Sequence, residues 1–230
     1  MFPREAGLAC RAALGALCLA TVATACGTDK SSTSTADPPL MPTPVSGGAS
    51  AVGLNDDFGG RGLFPANHWW NQDISRAPVD PNSAAFIDFI GRMRGLHPDF
   101  GPPPYGIPYV SVGGTQPRVP VTFVEYGDES DAGAPGELGY PIPDDAKSQP
   151  NFIEGGIAGG GTQGDRHLLI VDRDRLLLFE LYATRWNPSS SRWTAGSGAV
   201  FDLTRTDRRP EGWTSADAAG LAILPGLVRY

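Results

Sequence analysis

The strongest hydrophobic pattern in the chain is a pair of apolar runs on either side of residue 173. His167-Leu-Leu-Ile-Val-Asp172 and Arg175-Leu-Leu-Leu-Phe-Glu-Leu-Tyr-Ala183 are apolar at consecutive positions, without alternation. A strand with that pattern is covered on both faces, so the two runs predict a central hairpin turning at Asp172-Arg-Asp-Arg175. With its strands at Arg166–Asp172 and Arg175–Ala183, further apolar stretches predict strands at Ile107–Val112, Val119–Tyr126 and Ala199–Leu203. Helical spacing shows clearly once, where Phe86, Ile87, Ile90 and Met93 form one stripe behind Asp80 as cap and Pro81 in the first turn, with Gly95 as the stop. A second short helix is expected over Ser215–Leu221, capped by Thr214 with Asp217 reaching back. The class these elements predict is β-rich, mainly an antiparallel sandwich or a partly closed barrel, with one or two short helices.

The amino-terminal pattern is different. Arg4 and Arg11 precede the apolar stretch 12–25, which ends at Cys26. A basic segment, an apolar core of roughly 7–15 residues and small residues before a cut describe an export signal. The stretch is shorter than the ~20 apolar residues that span a bilayer. Val22-Ala-Thr-Ala-Cys26 resembles a bacterial lipobox, with Ala23 where a leucine is usual. The expectation is a lipoprotein-type signal over residues 1–25 and a lipid on Cys26. The alternative is plain cleavage after Ala25, which leaves a free thiol. Cys10 and Cys18 lie inside the signal, and no cysteine follows Cys26. Residues 26–61 are Ser, Thr, Pro, Gly, Ala and Asp for the most part, too poor in apolar surface to offset the entropy of ordering, and read as a tether. Residues 62–230 read as one β-rich domain. These readings place the protein in the cell envelope, lipid-anchored and facing the periplasm or exterior, with a secreted form as the alternative.

The chain carries 18 basic and 25 acidic side chains, a net charge of −7. An acidic balance argues against nucleic acid as a partner, because phosphate binding needs a basic surface. The expected partners are a membrane, through Cys26, and polysaccharide.

Candidate chemistry follows from the hairpin register. If Val171 pairs with Leu176, then His167 lies opposite Glu180 at the edge of an apolar face. That pair reads either as an acid/base dyad or as two metal ligands, or else as a buried pair that fixes register. Asp165 is two residues from His167, and Asp217 comes next as a substrate or metal contact. The glycines of Gly155-Gly-Ile-Ala-Gly-Gly-Gly161 would let a backbone approach a ligand, or form a flexible surface loop. Asp128, Glu129 and Asp131 form an acidic loop, a weak calcium candidate set against a solvated turn. Trp69, Trp70, Trp186 and Trp213 sit in loop-like contexts as candidate sugar-stacking planes; the alternative is that they, with Trp193, are core. His68 and His97 have weaker claims. No Gly-x-Ser-x-Gly, His-Glu-x-x-His or dinucleotide-binding glycine pattern is present, and the sequence assigns no metal site and names no cofactor.

Three stretches carry a resemblance: Gly164-Asp-Arg-His-Leu-Leu-Ile-Val-Asp172, Leu181-Tyr-Ala-Thr-Arg-Trp186, and Gly212-Trp-Thr-Ser-Ala-Asp-Ala-Ala-Gly-Leu221 running into Pro225-Gly-Leu-Val-Arg-Tyr230. Together these stretches resemble a family of secreted proteins from soil bacteria with no known activity. The resemblance implies export and transfers no catalytic residue. Its members extend past the position of Tyr230, so a shortened form is expected. The function expected from the sequence is binding or processing of extracellular carbohydrate, with Glu180 as the acid/base if it is an enzyme. The alternative is a non-catalytic envelope protein whose His, Glu and Trp residues are structural.

Overall fold

The computed structural model describes residues 52–56, 58, 62–95 and 104–227. The chain divides into Met1–Pro42 and Thr43–Tyr230, and every described residue belongs to the second unit. The export signal, Cys26 and His97 lie outside the described residues.

The fold is strand-rich. Its larger sheet has five strands in the order β1 (Gly53–Leu54), β2 (Tyr109–Val112), β4 (Leu168–Asp172), β5 (Leu177–Tyr182) and β8 (Ser197–Asp202). The smaller has three, in the order β3 (Val121–Phe123), β7 (Arg192–Ala195), β6 (Arg185–Asn187). Both sheets are mixed, with β2 parallel to β4 and β3 parallel to β7. Neither closes into a barrel. The strand β1 lies upstream of the Gly62 boundary read from composition. It pairs with Val110 and Ser111, and a Cβ at Gly53 would stand 2.6 Å from Ser111 Oγ, so glycine is what lets this edge approach.

The central hairpin is β4–β5, as its double-sided apolarity predicts. Every residue of β4 is buried. Even-numbered positions of β4 and odd-numbered positions of β5 face one core, where Leu168, Ile170, Phe179 and Leu181 pack with Trp193 and Ala195 of the small sheet and with Tyr140, Ile142 and Ile153. The opposite face carries Leu169, Val171 and Leu178, covered by Phe64 from the amino-terminal side and by Ala222 and Leu224 from the carboxyl-terminal side. The register differs from the expected one by two residues: Val171 lies opposite Leu178 and Leu169 opposite Glu180. The turn is longer than the sequence suggests. Arg173 to Leu176 lie outside the strands, Leu176 takes φ 53°, and Asp172 Oδ1 accepts the Arg175 N–H at 3.1 Å. A shift of two preserves the face of every side chain, which is why the core assignment survives it.

Two helical expectations change. The helix α1 spans Ser83–Ile90 and stops at Gly91, whose φ of 101° suits glycine, so it ends before Gly95. Its stripe does not face a core: Phe86, Ile87, Ile90 and Met93 are exposed, with Phe89 and Met93 at 94% and 96%. The expected helix at Ser215–Leu221 does not form. Ser215 Oγ accepts the Asp217 N–H at 2.9 Å and donates to Leu221 O at 2.6 Å, a local side-chain closure that competes with helical bonding. Thr214 does not cap: its Oγ1 donates to Asp217 O at 3.2 Å instead of accepting a backbone N–H, and its own N–H donates to Glu129 Oε2 at 2.8 Å. The segment 212–227 is an irregular strap over the second face of the sheet.

Candidate functional site

At the open end of the hairpin, Arg166 and Ala183 both adopt left-handed backbone conformations, with φ 52° and 53°. Ala183 N donates to Asp165 O at 2.8 Å and Thr184 N to Arg166 O at 3.1 Å, so the chain is pinched one residue before His167. Extending the observed register places His167 opposite Tyr182, and the two rings lie 5.7 Å apart.

The partner of His167 is Glu154, not Glu180. One oxygen, Glu154 Oε2, accepts both the His167 backbone N–H at 3.1 Å and its ring Nδ1–H at 2.7 Å, while Glu154 N donates to His167 O at 3.0 Å. The far ring nitrogen, Nε2, stands 3.3 Å from Ala216 O on the strap. Burial pulls the pKa of His167 down. The hydrogen bond and charge of Glu154, the Ala216 carbonyl and the charge of Asp165 outweigh burial and leave it raised. For Glu154 burial pushes upward, and the bonds to His167 prevail and hold it below the usual carboxylate range. Both shifts favour the charged forms, imidazolium beside carboxylate.

Glu180 sits on the same face, opposite Leu169 and Ala199, at 0% exposure. Both of its oxygens accept the Ile223 N–H, at 3.0 and 2.9 Å, and Oε1 also accepts the Leu224 N–H at 2.9 Å. Burial pushes its pKa up to about 7 against those donors. Glu180 holds the strap and does not line a cleft.

Two clefts adjoin at Trp70, Gly212 and Ala222. The first, of about 770 Å³, has His167, Asp165, Asp217 and Glu129 in its walls with the rings of Tyr126 and Tyr182. The second, of about 660 Å³, is walled by Trp69, Trp70 and Trp213 with Asp207, Arg208 and Glu211. The strap contributes to both. Trp69 and Trp70 are stacked with centroids 4.9 Å apart on a 3-10 turn over Trp69–Asn71. His68 caps that turn, its Nδ1 accepting the Trp70 N–H at 3.1 Å, and stacks on Phe64. Burial lowers the His68 pKa, which keeps it an acceptor. Trp213 is 36% exposed, beside the Arg209 guanidinium.

The residues singled out in the sequence thus separate. Asp165, His167 and Asp217 meet in the first cleft; Trp69, Trp70 and Trp213 meet in the second. Trp186 is elsewhere, packed 5.3 Å from Trp193 on the small sheet with the Lys147 ammonium 4.6 Å above its ring. The expected His167–Glu180 contact is absent, and the two oxygens of Glu180 are committed to the strap.

Part of the glycine run is packed into the fold. Gly159 and Gly160 are buried, and a Cβ on Gly160 would stand 2.2 Å from Thr184 O. The acidic loop is a clamp. Asp131 Oδ2 accepts the Val200 N–H at 2.9 Å and pairs with Arg209, whose Nη2 donates to Glu129 O and whose Nε donates to Thr214 O. Among the described residues no three His, Cys, Asp or Glu side chains gather as metal ligands would.

Sequence reasoning missed Glu154, Tyr126 and Tyr182 in the site and Arg209 in the clamp. Glu154 lies in a loop 13 residues before its partner, where no periodicity points at it. Tyr182 was visible as the residue opposite His167 once the turn length was known. No protein-family model, no curated protein and no solved structure matches this chain.

Proposed function

We propose that the folded region is a carbohydrate-binding module, held at the outer face of a membrane by a lipid on Cys26. The observation that carries the reading is the pair of adjoining clefts, in which aromatic planes (Trp69, Trp70, Trp213, Tyr126, Tyr182) stand beside the carboxylates of Asp165, Asp217, Asp207 and Glu211. Aromatic rings present an apolar face to the C–H side of a sugar ring, and carboxylates accept its hydroxyls. Binding is favoured over hydrolysis. Glycosidic cleavage needs two carboxylates flanking the scissile bond, and the best acid/base candidate, Glu180, is sealed beneath the strap with its oxygens already taken.

The structural reading has its own support. Glu180, Trp186 and Trp193 all serve packing, and this assigns them no part in recognition. A glycan array probed with the full chain separates the two. The binding reading expects retention on at least one polysaccharide class. It also expects a Trp213→Ala change to weaken that binding at least tenfold, or ~1.4 kcal/mol, with unchanged unfolding behaviour. Retention on no glycan leaves the structural reading.

A further inference from the structure

The strap 212–227 has an unusual attachment. Among the described residues its backbone–backbone hydrogen bonds outside regular elements are internal or reach only Pro210: Trp213 N to Pro210 O, Ser215 N to Asp217 O, Gly220 N to Asp217 O, Gly226 N to Ile223 O and Leu227 N to Leu224 O. What holds it to the sheet is a set of side chains from the body that grip its backbone. Ser197 Oγ donates to Ser215 O at 2.6 Å, His167 Nε2 meets Ala216 O at 3.3 Å, Glu129 Oε2 accepts from Thr214 N, and Glu180 accepts from Ile223 N and Leu224 N. Burial of Ala216, Ala222 and Leu224 adds the apolar part.

One of these grips has a sign that depends on protonation. A carboxylate only accepts, so Glu154 Oε2 at 2.7 Å obliges His167 to carry a proton on Nδ1 in every charge state. The neutral ring then has a lone pair on Nε2, and that lone pair faces the carbonyl oxygen of Ala216. Only the imidazolium can donate there. The contact is attractive while His167 is charged and repulsive once it is not.

We propose that the strap is a movable wall of the two clefts, latched by His167 onto Ala216 O and released at that point when His167 loses its second proton. The inference rests on the reading of the clefts as a binding site and adds a regulation to it. The groups that face His167 are Glu154 from the preceding loop, Asp165 from the pinch before β4, Glu180 and Tyr182 from β5, and Ala216 on the strap; Asp217 of the strap acts in turn on Glu180. Glu154 and Asp165 favour the charged ring, in keeping with its raised pKa, so the latch stays closed to higher pH than an unperturbed imidazole would allow and opens as pH rises. Release loosens Ala216 and Asp217, which line the first cleft with Tyr182, while Thr214 and Ser215 stay held by Glu129 and Ser197.

Hydrogen exchange of the full chain, read as protection factors so that the intrinsic pH dependence of exchange is removed, tests the latch without any ligand. Between pH 6 and pH 9, protection of the amides at 215–222 is expected to fall at least tenfold relative to those of β4 and β5. In Glu154→Gln, which keeps an acceptor for Nδ1–H but removes the charge, the same loss is expected to begin at lower pH. His167→Gln, which cannot change charge, is expected to show a flat relative protection. Parallel behaviour of strap and hairpin in the unmodified protein would overturn the proposal. So would an unchanged transition in Glu154→Gln, which keeps the test decisive if His167→Gln fails to fold. Failure of the glycan array removes the binding reading and leaves this exchange result standing on its own.

Discussion

The carboxyl of Glu180 offers a quantitative test of how the sheet holds the strap. Its ordinary pKa is 4.5, and burial pushes it up to about 7 in the folded protein. Between those values the folded state keeps a proton that the unfolded chain has released. Protons bound in excess by the folded state make stability fall as pH rises. The contribution is therefore fully present below pH 4.5 and is lost as pH climbs through 7. The slope is at most ~1.4 kcal/mol per pH unit, and the total over the window is about 3 kcal/mol. The substitution Glu180→Gln isolates it. The glutamine carbonyl can accept from Ile223 and Leu224 as the carboxyl does, but the side chain no longer titrates. Its amide protons lack a second acceptor, a pH-independent cost of ~1–3 kcal/mol. His167, with a raised pKa, adds a fall in stability in the alkaline direction; Glu154, with a lowered one, loses its contribution only below pH 4.5. Both remain in the variant and cancel to first order in the difference. Urea unfolding of the two proteins at pH 4.5 and pH 8.5 should show the variant gaining about 3 kcal/mol relative to the parent, or roughly 6–12 °C in melting temperature for a domain of this size. A stability difference that is the same at both pH values would refute the reasoning, because it would mean that folding does not raise the pKa of Glu180.

Two further outcomes are expected. Gly160→Ala should destabilise the protein by more than ~2 kcal/mol in chemical unfolding, since φ is 89° and the new Cβ meets Thr184 O; Gly212→Ala, with φ 82° and open space around it, should cost only the conformational ~1 kcal/mol. Cys26→Ala should move the protein from the membrane fraction to the soluble fraction and abolish incorporation of labelled fatty acid, and retention in the membrane would remove the lipid anchor from the proposal.

The local pattern was a good guide where burial on both faces left one solution. The runs around residue 173 could only be a covered hairpin, and the parity of their positions placed Leu169, Val171 and Leu178 on one face and Ile170 and Phe179 on the other. A register error of two residues did no damage to that assignment, because side chains repeat every second position. It did damage the chemistry: with a longer turn, Glu180 moved away from His167 by one pair, and the expected dyad dissolved into two separate grips on the strap.

What the sequence determined by itself was the strand-rich class, the central hairpin, the acidic character, and the set of polar residues on the cleft-side face, since all of these depend on composition and on positions near one another in the chain. Tertiary structure alone decided the rest. Glu154 became the partner of His167 through loop packing, and Thr214 was drawn to Glu129 across 85 residues of chain. Gly160 was required by a carbonyl 24 residues away. The stripe on α1 was left exposed because no described element packs against it. Periodicity records what each residue does along its own element. Which two elements meet is decided by turn lengths and close approaches that carry no period at all.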